Sequence, residues 1–224
     1  MINWLLLNGL ILIIAYLLGA TPSGYWIGSW FYGIDIREQG SGSTGATNVL
    51  RTIGKWPALS VLIIDILKGV LAIALVRYIY SLLFVQNLTI AAGIPDVYIA
   101  KEWMVILAGL IAIFGHTKSI WIGFRGGKSV ASSLGILLAM SWVVGLGTLS
   151  VFVVFLAISR IVSLSSIIAA ICVSGLMFFT GQPLPYEIFA IAGGMYVIWR
   201  HRSNIERLLA GKEPKIGQKL STES

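Results

Sequence analysis

One uncharged stretch, SVASSLGILLAMSWVVGLGTLSVFVVFLAIS at residues 129–159, decides the fold class. A single helix across it would be about 46 Å long, which exceeds the hydrocarbon core of a bilayer, about 30 Å. Two full spans would need about 40 residues, which is more than the stretch contains. Gly145 and Gly147 lie near its middle and predict a tight turn between two short helices. Short helices survive in a membrane where neighbouring protein covers their ends.

Further apolar runs flank this stretch on both sides. They lie at about 4–30, 57–80, 102–115, 164–181 and 184–200, and Pro183 and Pro185 mark the turn between the last two. Hydrophobic residues make up 57% of the chain and charged residues 11%, whereas soluble domains carry roughly 25% charged residues. The sequence therefore predicts an all-α polytopic membrane protein with seven transmembrane helices. Residues 1–211 would form one seven-span domain, and residues 212–224 a mobile cytoplasmic tail.

The distribution of basic residues predicts the orientation. If the N-terminus is outside, all but three of the 16 Lys and Arg residues lie on the inner side, the exceptions being Lys68, Arg77 and Lys101. Cytoplasmic loops collect Lys and Arg because these residues resist translocation. The same rule explains the net charge of +7 without a nucleic-acid partner. The C-terminus is therefore predicted to be cytoplasmic.

The first polar segment on this inner face is SGSTGATNVLR at 41–51. Glycines allow backbone N–H groups to approach an anion, Ser and Thr hydroxyls donate hydrogen bonds, and an Arg clamps phosphate oxygens at two points. Thr47 and Asn48 lie where a helix could begin and add N-terminal amides. The pattern favours a phosphate site, although a small-residue loop with a helix cap would show a similar composition.

The second segment is GHTKSIWIGFRGGKS at 115–129. Its ending resembles a nucleotide-binding P-loop, but Ile122 stands where that motif needs a glycine, so this interpretation fails. Gly126 and Gly127 still open the backbone, and Lys128 brings a cation to an anionic group at the start of the next helix. His116 is interpreted as a helix-end histidine in a polar interface.

The third segment is RHRSNIER at 200–207, at the inner end of the last span. In a continuing helix, His201, Asn204 and Arg207 share one face and could hold a polyol phosphate. A basic stop signal that binds anionic lipid is the alternative. Within the second span, Asp65 and Lys68 are three residues apart and can neutralise each other.

Taken together, the chain resembles the PlsY family, the acyl-phosphate-dependent glycerol-3-phosphate acyltransferases of bacterial membranes. The resemblance rests on REQGSGSTGATNVLR at 37–51, GHTKSIWIGFRGGKSVASS at 115–133 and HRSNIERLLAG at 201–211, with TPSGY at 21–25 and DILKG at 65–69 as further landmarks. Two positions depart from the family pattern. Ser43 stands where the family usually has Asn, and Ser129 where it commonly has Gly.

The resemblance implies transfer of a fatty acyl group from acyl phosphate to glycerol 3-phosphate in the bacterial inner membrane, at its cytoplasmic face. It implies membrane lipids as surroundings, allows an association with other enzymes of phospholipid synthesis, and calls for no cofactor or metal. Lys128, His201 and Asn204 would be catalytic. The glycerol 3-phosphate would contact Ser41, Arg51, Lys128, His201 and Asn204; the acyl phosphate would contact Ser43, Gly45, Ala46, Thr47, Asn48, Gly126 and Gly127; Asp65, Lys68, His116 and Arg207 would support the site.

Two other functions fit the sequence less well. A transporter for an organic phosphate would also bury polar groups between its spans, but the inverted repeat typical of many carriers is not visible. A noncatalytic scaffold of lipid synthesis is the other alternative. Whether His201 or a substrate phosphate accepts the proton is left open by the sequence.

Overall fold

The computed structural model describes residues 1–218, and all regular secondary structure in this range is helical. The helices are α1 (Ile2–Ala20), α2 (Ser23–Tyr32), α3 (Ala46–Thr52), α4 (Lys55–Ser81), α5 (Leu83–Ala91), α6 (Val97–Thr117), α7 (Val130–Met140), α8 (Trp142–Ser159), α9 (Val162–Phe179), α10 (Leu184–Arg200) and α11 (Arg202–Leu209). Short 3₁₀ turns cover Ile36–Glu38 and Ile120–Ile122. The predicted all-α class is confirmed.

Five of these helices, α1, α4, α6, α8 and α9, are long and apolar enough to cross a membrane. The two other predicted spans correspond to α7, with 11 residues, and α10, with 17 residues. Every predicted span therefore has a helix in the structure. The count of seven spans stays a prediction, as does the orientation of the termini.

The uncharged stretch does divide into two helices, but the turn lies at Ser141 and the prediction of a turn at the glycines is wrong. Ser141 has an extended backbone, with φ −148° and ψ 108°, between α7 and α8. Gly145 and Gly147 lie inside α8. A Cβ at Gly145 would come within 2.7 Å of the Leu138 Cα atom, so this glycine permits close packing of α7 and α8.

The apolar run at about 4–30, counted as one of the seven predicted spans, is not one continuous helix. The chain leaves the helix at Thr21 and Pro22, and α2 starts at Ser23. Proline lacks the N–H of an interior helical residue, and its ring clashes with the preceding turn. In addition, the stretch between the predicted runs at 57–80 and 102–115 contains the short helix α5.

Helices α4 and α6–α10 form a ring. Helix α4 packs against α6 and α7, α7 against α8, α8 against α9, α9 against α10, and α10 returns to α6. Helix α1 covers the outer side of α6. The ring leaves space at its centre, and this space holds the candidate site.

The end of the short helix α7 is covered by protein, as the sequence predicted for such a helix. Arg77 on α4 donates to the carbonyl of Met140, the last residue of α7, at 2.9 Å. The same guanidinium donates to the Tyr186 hydroxyl at 3.0 Å, and Tyr186 donates to the carboxylate of Glu102. The last carbonyl of α7, which has no partner within its own helix, therefore has a charged donor.

Helices α4 and α7 approach each other most closely at two glycines. A Cβ at Gly69 would collide with the backbone of Ser132, and one at Gly135 with the backbone of Ile66. Membrane helices lack a hydrophobic driving force for association, so small residues at their contacts allow the backbones to pack tightly.

We expect Gly135→Ala to destabilise the protein by about 1–3 kcal/mol, because the added methyl group forces the two backbones apart. Gly175→Ala is the matched control, since a Cβ at Gly175 would meet only the Phe179 ring, at 4.0 Å. Thermal unfolding of both variants in detergent measures the difference. Equal stability of the two variants would contradict the proposed close contact.

Candidate active site

The three polar segments converge on one cavity of about 440 Å³. Its mouth is polar and its deeper part is lined by apolar side chains of α4 and α7–α10. Of the predicted site residues, the cavity walls include Ser41, Ser43, Gly45, Ala46, Thr47, Asn48, Arg51, Asp65, His116, Lys128, His201 and Asn204. Residues far apart in the sequence therefore share one site.

The loop before α3 is built around the side chain of Asn48, which is 2% exposed. Its Nδ2 lies 3.1, 2.9 and 2.9 Å from the carbonyl oxygens of Ile36, Gln39 and Ser43, which share its two hydrogens, and its Oδ1 accepts from the Ser41 N–H at 2.9 Å. An amide offers two donor hydrogens and one acceptor oxygen. Asn48 is thus engaged in shaping the loop that presents Ser41 and Ser43 to the cavity.

The helix start predicted near Thr47 is present, because α3 begins at Ala46. Thr47 lies in its first turn and Arg51 in its last. The Arg51 guanidinium lies in the cavity wall and donates to the carbonyl of Pro214 at 3.2 Å. The first segment therefore contributes a small-residue turn and one cation to the mouth.

A chain of hydrogen bonds joins the second segment to the third. The Lys128 ammonium donates to Asn204 Oδ1, and Asn204 Nδ2 donates to Glu213 Oε1 at 2.6 Å. Glu213 also accepts from Ser163 Oγ and from Arg207 Nε, both at 2.7 Å. These donors lower the pKa of the Glu213 carboxyl against the effect of its burial. The carboxylate thus holds the Asn204 amide with its oxygen toward Lys128.

Sequence reasoning missed Glu213, because it assigned 212–224 to the tail. Of that tail, the structure describes 212–218, and Glu213 is only 8% exposed. Ile216 N–H also donates to the Arg160 carbonyl at 2.8 Å. The remaining tail residues, 219–224, lie outside the described part of the chain. In the sequence, Glu213 could have been noticed as a carboxylate between Lys212 and Lys215 in a basic segment.

His201 lies between α10 and α11, where the helix is interrupted for one residue. Its Nδ1 lies 2.8 Å from the Val197 carbonyl, so this nitrogen carries the proton and donates. Burial lowers the pKa of His201 to about 4, so the ring is neutral near pH 7. The nitrogen that is left for a ligand, Nε2, therefore has a lone pair and acts as an acceptor.

The Asp65 and Lys68 pair predicted inside the second span is present, with Nζ 2.9 Å from Oδ1. Asp65 also accepts from Ser23 Oγ at 2.6 Å, and Lys68 donates to the Thr21 carbonyl at 3.0 Å. His116 is buried, and its Nδ1 lies 2.7 Å from Lys68 Nζ. An ammonium has only donors, so His116 accepts through Nδ1 and its ring proton lies on Nε2.

The Gly126–Gly127 turn packs directly on His116. A Cβ on Gly126 would collide with the His116 carbonyl, and one on Gly127 with the imidazole ring. Gly127 N–H donates to the His116 carbonyl at 3.3 Å, and its carbonyl accepts from Arg200 at 3.1 Å. Neither glycine is part of the cavity wall, and nor are Lys68 and Arg207. The close packing of the two glycines on His116 fixes the position of the next residue, Lys128. Arg200, which was not among the predicted site residues, holds the same turn through the Gly127 carbonyl.

Ser129 explains one departure from the family pattern. Its backbone has φ 62°, in the left-handed region where glycine is favoured. Its Oγ donates to the Ile113 carbonyl at 3.0 Å, and the residue is buried. The hydroxyl therefore anchors the turn that a glycine would adopt without strain.

Comparisons with known proteins agree with one another. The sequence matches the family described as glycerol-3-phosphate acyltransferase over residues 9–211. It is 85% identical to the glycerol-3-phosphate acyltransferase of Trichodesmium erythraeum (strain IMS101), across 100% of this chain and 98% of the relative. It is 62% identical to that of Nostoc sp. (strain PCC 7120 / SAG 25.82 / UTEX 2576), across 99% and 97%.

The fold is similar to crystal structures of PlsY (YgiH), an integral membrane glycerol 3-phosphate acyltransferase. The glycerol 3-phosphate form has a TM-score of 0.78 at 34% identity and covers 94% of this chain and 96% of that chain. The lysophosphatidic acid form has a TM-score of 0.76 at 34% identity and covers 94% and 95%.

The state of Lys128 generates a pH prediction. Burial, together with the positive charges of Arg207, Arg200 and Arg51, lowers the pKa of Lys128 to about 8. The ammonium is therefore lost as the pH rises through about 8, and we expect the affinity for inorganic phosphate to fall by up to about tenfold one unit above that value. The Lys128→Arg variant should retain its affinity for inorganic phosphate over this pH range, because a guanidinium stays charged. Calorimetric titrations of both proteins check this, and parallel losses of affinity would refute it.

Proposed function

Because the chain belongs to the glycerol-3-phosphate acyltransferase family and is a membrane acyltransferase that acylates glycerol 3-phosphate, we propose that its donor is acyl phosphate. The sn-1 hydroxyl would receive the acyl group, giving lysophosphatidic acid and phosphate. The supporting observation is the cavity, whose cationic mouth continues into an apolar space between helices. Such a shape accommodates a phosphate group and a fatty chain at once.

The cationic side of the mouth is the proposed acceptor site. Lys128 and Arg51 lie in its wall with Ser41, and these side chains offer the charge and hydroxyl donors that a phosphate needs. Asn204, which donates to Glu213, would bind the polyol part. The glycerol 3-phosphate and lysophosphatidic acid forms of PlsY support this assignment, since that protein shares the fold.

His201 is the proposed partner of the attacking hydroxyl. Its Nε2 carries a lone pair because Nδ1 is committed to Val197, and the ring stays neutral as its pKa is about 4. Such a nitrogen accepts a hydrogen bond from the sn-1 hydroxyl and orients it. A pKa this low makes His201 a weak base, so the final proton acceptor would be the phosphate that leaves or that of the substrate.

The turn at 43–47 is the proposed site of the donor phosphate. Ser43, Gly45, Ala46 and Thr47 lie in the cavity wall beside the apolar space. The sn-1 oxygen would attack the acyl carbonyl, an ester C–O bond would form, and the anhydride C–O bond would break to release phosphate. Acyl phosphate is already activated, so positioning and charge stabilisation suffice without a nucleophilic side chain.

The orientation of the site is part of the proposal. Lys128 and Arg51 lie in the cavity wall, and Arg200 donates to the carbonyl of Gly127, next to Lys128. Basic residues collect on the cytoplasmic side of membranes. We infer that the mouth faces the cytoplasm of a bacterial inner membrane, where water-soluble glycerol 3-phosphate is available. Labelling of single cysteines at Arg51 and Arg202 from either side of sealed vesicles distinguishes the two orientations.

The donor can be tested directly. We expect purified protein to release inorganic phosphate from acyl phosphate only when glycerol 3-phosphate is present, and to form no product from acyl-CoA. The apolar space accepts either chain, but the donor turn is small and suits one phosphate group. Product analysis by mass spectrometry checks both reactions. Efficient transfer from acyl-CoA would contradict the proposed donor.

The acceptor site is tested by substitution. Lys128→Ala should raise KM for glycerol 3-phosphate and lower kcat/KM by about a hundredfold, because a partly buried charge-assisted contact is lost. Lys118→Ala is the matched control, since Lys118 is exposed and not part of the cavity wall. His201→Ala should lower kcat by about a hundredfold or more. Retained activity in either site variant would remove that residue from the site.

A further inference from the structure

The apolar part of the cavity has a defined end. Its deepest wall residues are Leu137 on α7, Thr148 on α8, Val173 on α9 and Phe189 on α10. Each of these helices continues for at least three further residues away from the polar mouth. The cavity therefore stops inside the bundle instead of running through it.

A layer of four buried side chains lies one turn beyond those wall residues. Met140 follows Leu137 by three positions, Val144 precedes Thr148 by four, Met177 follows Val173 by four, and Tyr186 precedes Phe189 by three. Residues three or four apart share a helix face. All four are at most 5% exposed and belong to the main core cluster. This layer, Met140, Val144, Met177 and Tyr186, is called the floor.

Hydrogen bonds from Arg77 and to Glu102 hold the floor in place. Arg77 donates to the Met140 carbonyl and to the Tyr186 hydroxyl, and Tyr186 donates to Glu102. Two of the four helices that carry the floor are thus tied to one guanidinium. Charged and polar groups in the membrane are costly to separate from their partners, so the floor resists displacement by a ligand.

The distance from mouth to floor is limited. Between Phe189 and the end of α10 the helix rises by about 17 Å. An acyl donor must place its carbonyl at the mouth, near Lys128 and His201, so its chain has only the space between mouth and floor. On the basis of the proposed function, we propose that the floor sets the upper limit on acyl-chain length.

Met177 is the floor residue best suited to a test. It is fully buried and is unbranched and flexible, and its thioether has no strong hydrogen bond to lose. Shortening it opens the floor toward the next turn, about 5.4 Å away along the helix. Tyr186 is less suitable, because its change would remove a hydrogen bond from Arg77.

The experiment supplies purified protein with glycerol 3-phosphate and an equimolar mixture of saturated acyl phosphates of increasing length. Mass spectrometry of the products gives the chain-length profile. We expect Met177→Ala to raise the relative use of chains several carbons longer than the preferred one by at least fivefold.

Ala169→Leu should have the opposite effect. Ala169 lines the cavity one turn closer to the mouth than Val173, so a larger side chain enters the cavity and shifts the profile to shorter chains. Phe179→Ala is the control on the same helix, because Phe179 is 86% exposed and should leave the profile unchanged.

The outcomes separate this inference from the proposed function. Wild-type protein that uses no acyl phosphate would refute the donor assignment. Wild-type activity with the same profile in Met177→Ala and Ala169→Leu would leave that assignment intact and overturn the role of the floor. If Met177→Ala fails to fold, the shift in Ala169→Leu decides alone.

Discussion

The ion pair between Asp65 and Lys68 is the contact on which the site depends. A lone charge within a membrane helix is expensive, and the two groups remove that cost by neutralising each other. Their remaining hydrogen-bonding capacity reaches Ser23, the Thr21 carbonyl and His116. One pair therefore fixes the break between α1 and α2 and the end of α6. The imidazole held there supports the glycine turn that carries Lys128.

The charged groups that act on Lys128 are mostly positive. Lys128, Arg51, Arg200 and Arg207 lie near one another, as their mutual influence on the pKa of Lys128 shows, and Glu213 is the carboxylate bonded to this group. Such an excess is unfavourable in a partly buried site. An anionic ligand would relieve it, which supports the proposed phosphate site.

Sequence reasoning anticipated the features that depend on local chemistry. Apolar length predicted the helices, and the residue types in three short segments predicted which parts converge. The turn between α7 and α8 was misplaced because Gly145 looks the same in sequence whether it bends the chain or packs against Leu138. Glu213 was missed because its importance arises from Ser163, Asn204 and Arg207, which reach it only in three dimensions. Tertiary contacts, rather than local propensity, decided both cases.

Burial acts on two basic groups at the mouth with opposite consequences. It lowers the pKa of His201 to about 4 and that of Lys128 to about 8. Because imidazole starts near 6.5 and an ammonium near 10.5, the same physical effect leaves the ring neutral and the amine mostly charged at neutral pH. His201 is then a hydrogen-bond acceptor and Lys128 a cation in the same site. This combination suits the proposed substrate, which carries both a hydroxyl nucleophile and a phosphate. The partly buried cavity, which we propose to accept an acyl chain, thus also sets the protonation states of these two groups.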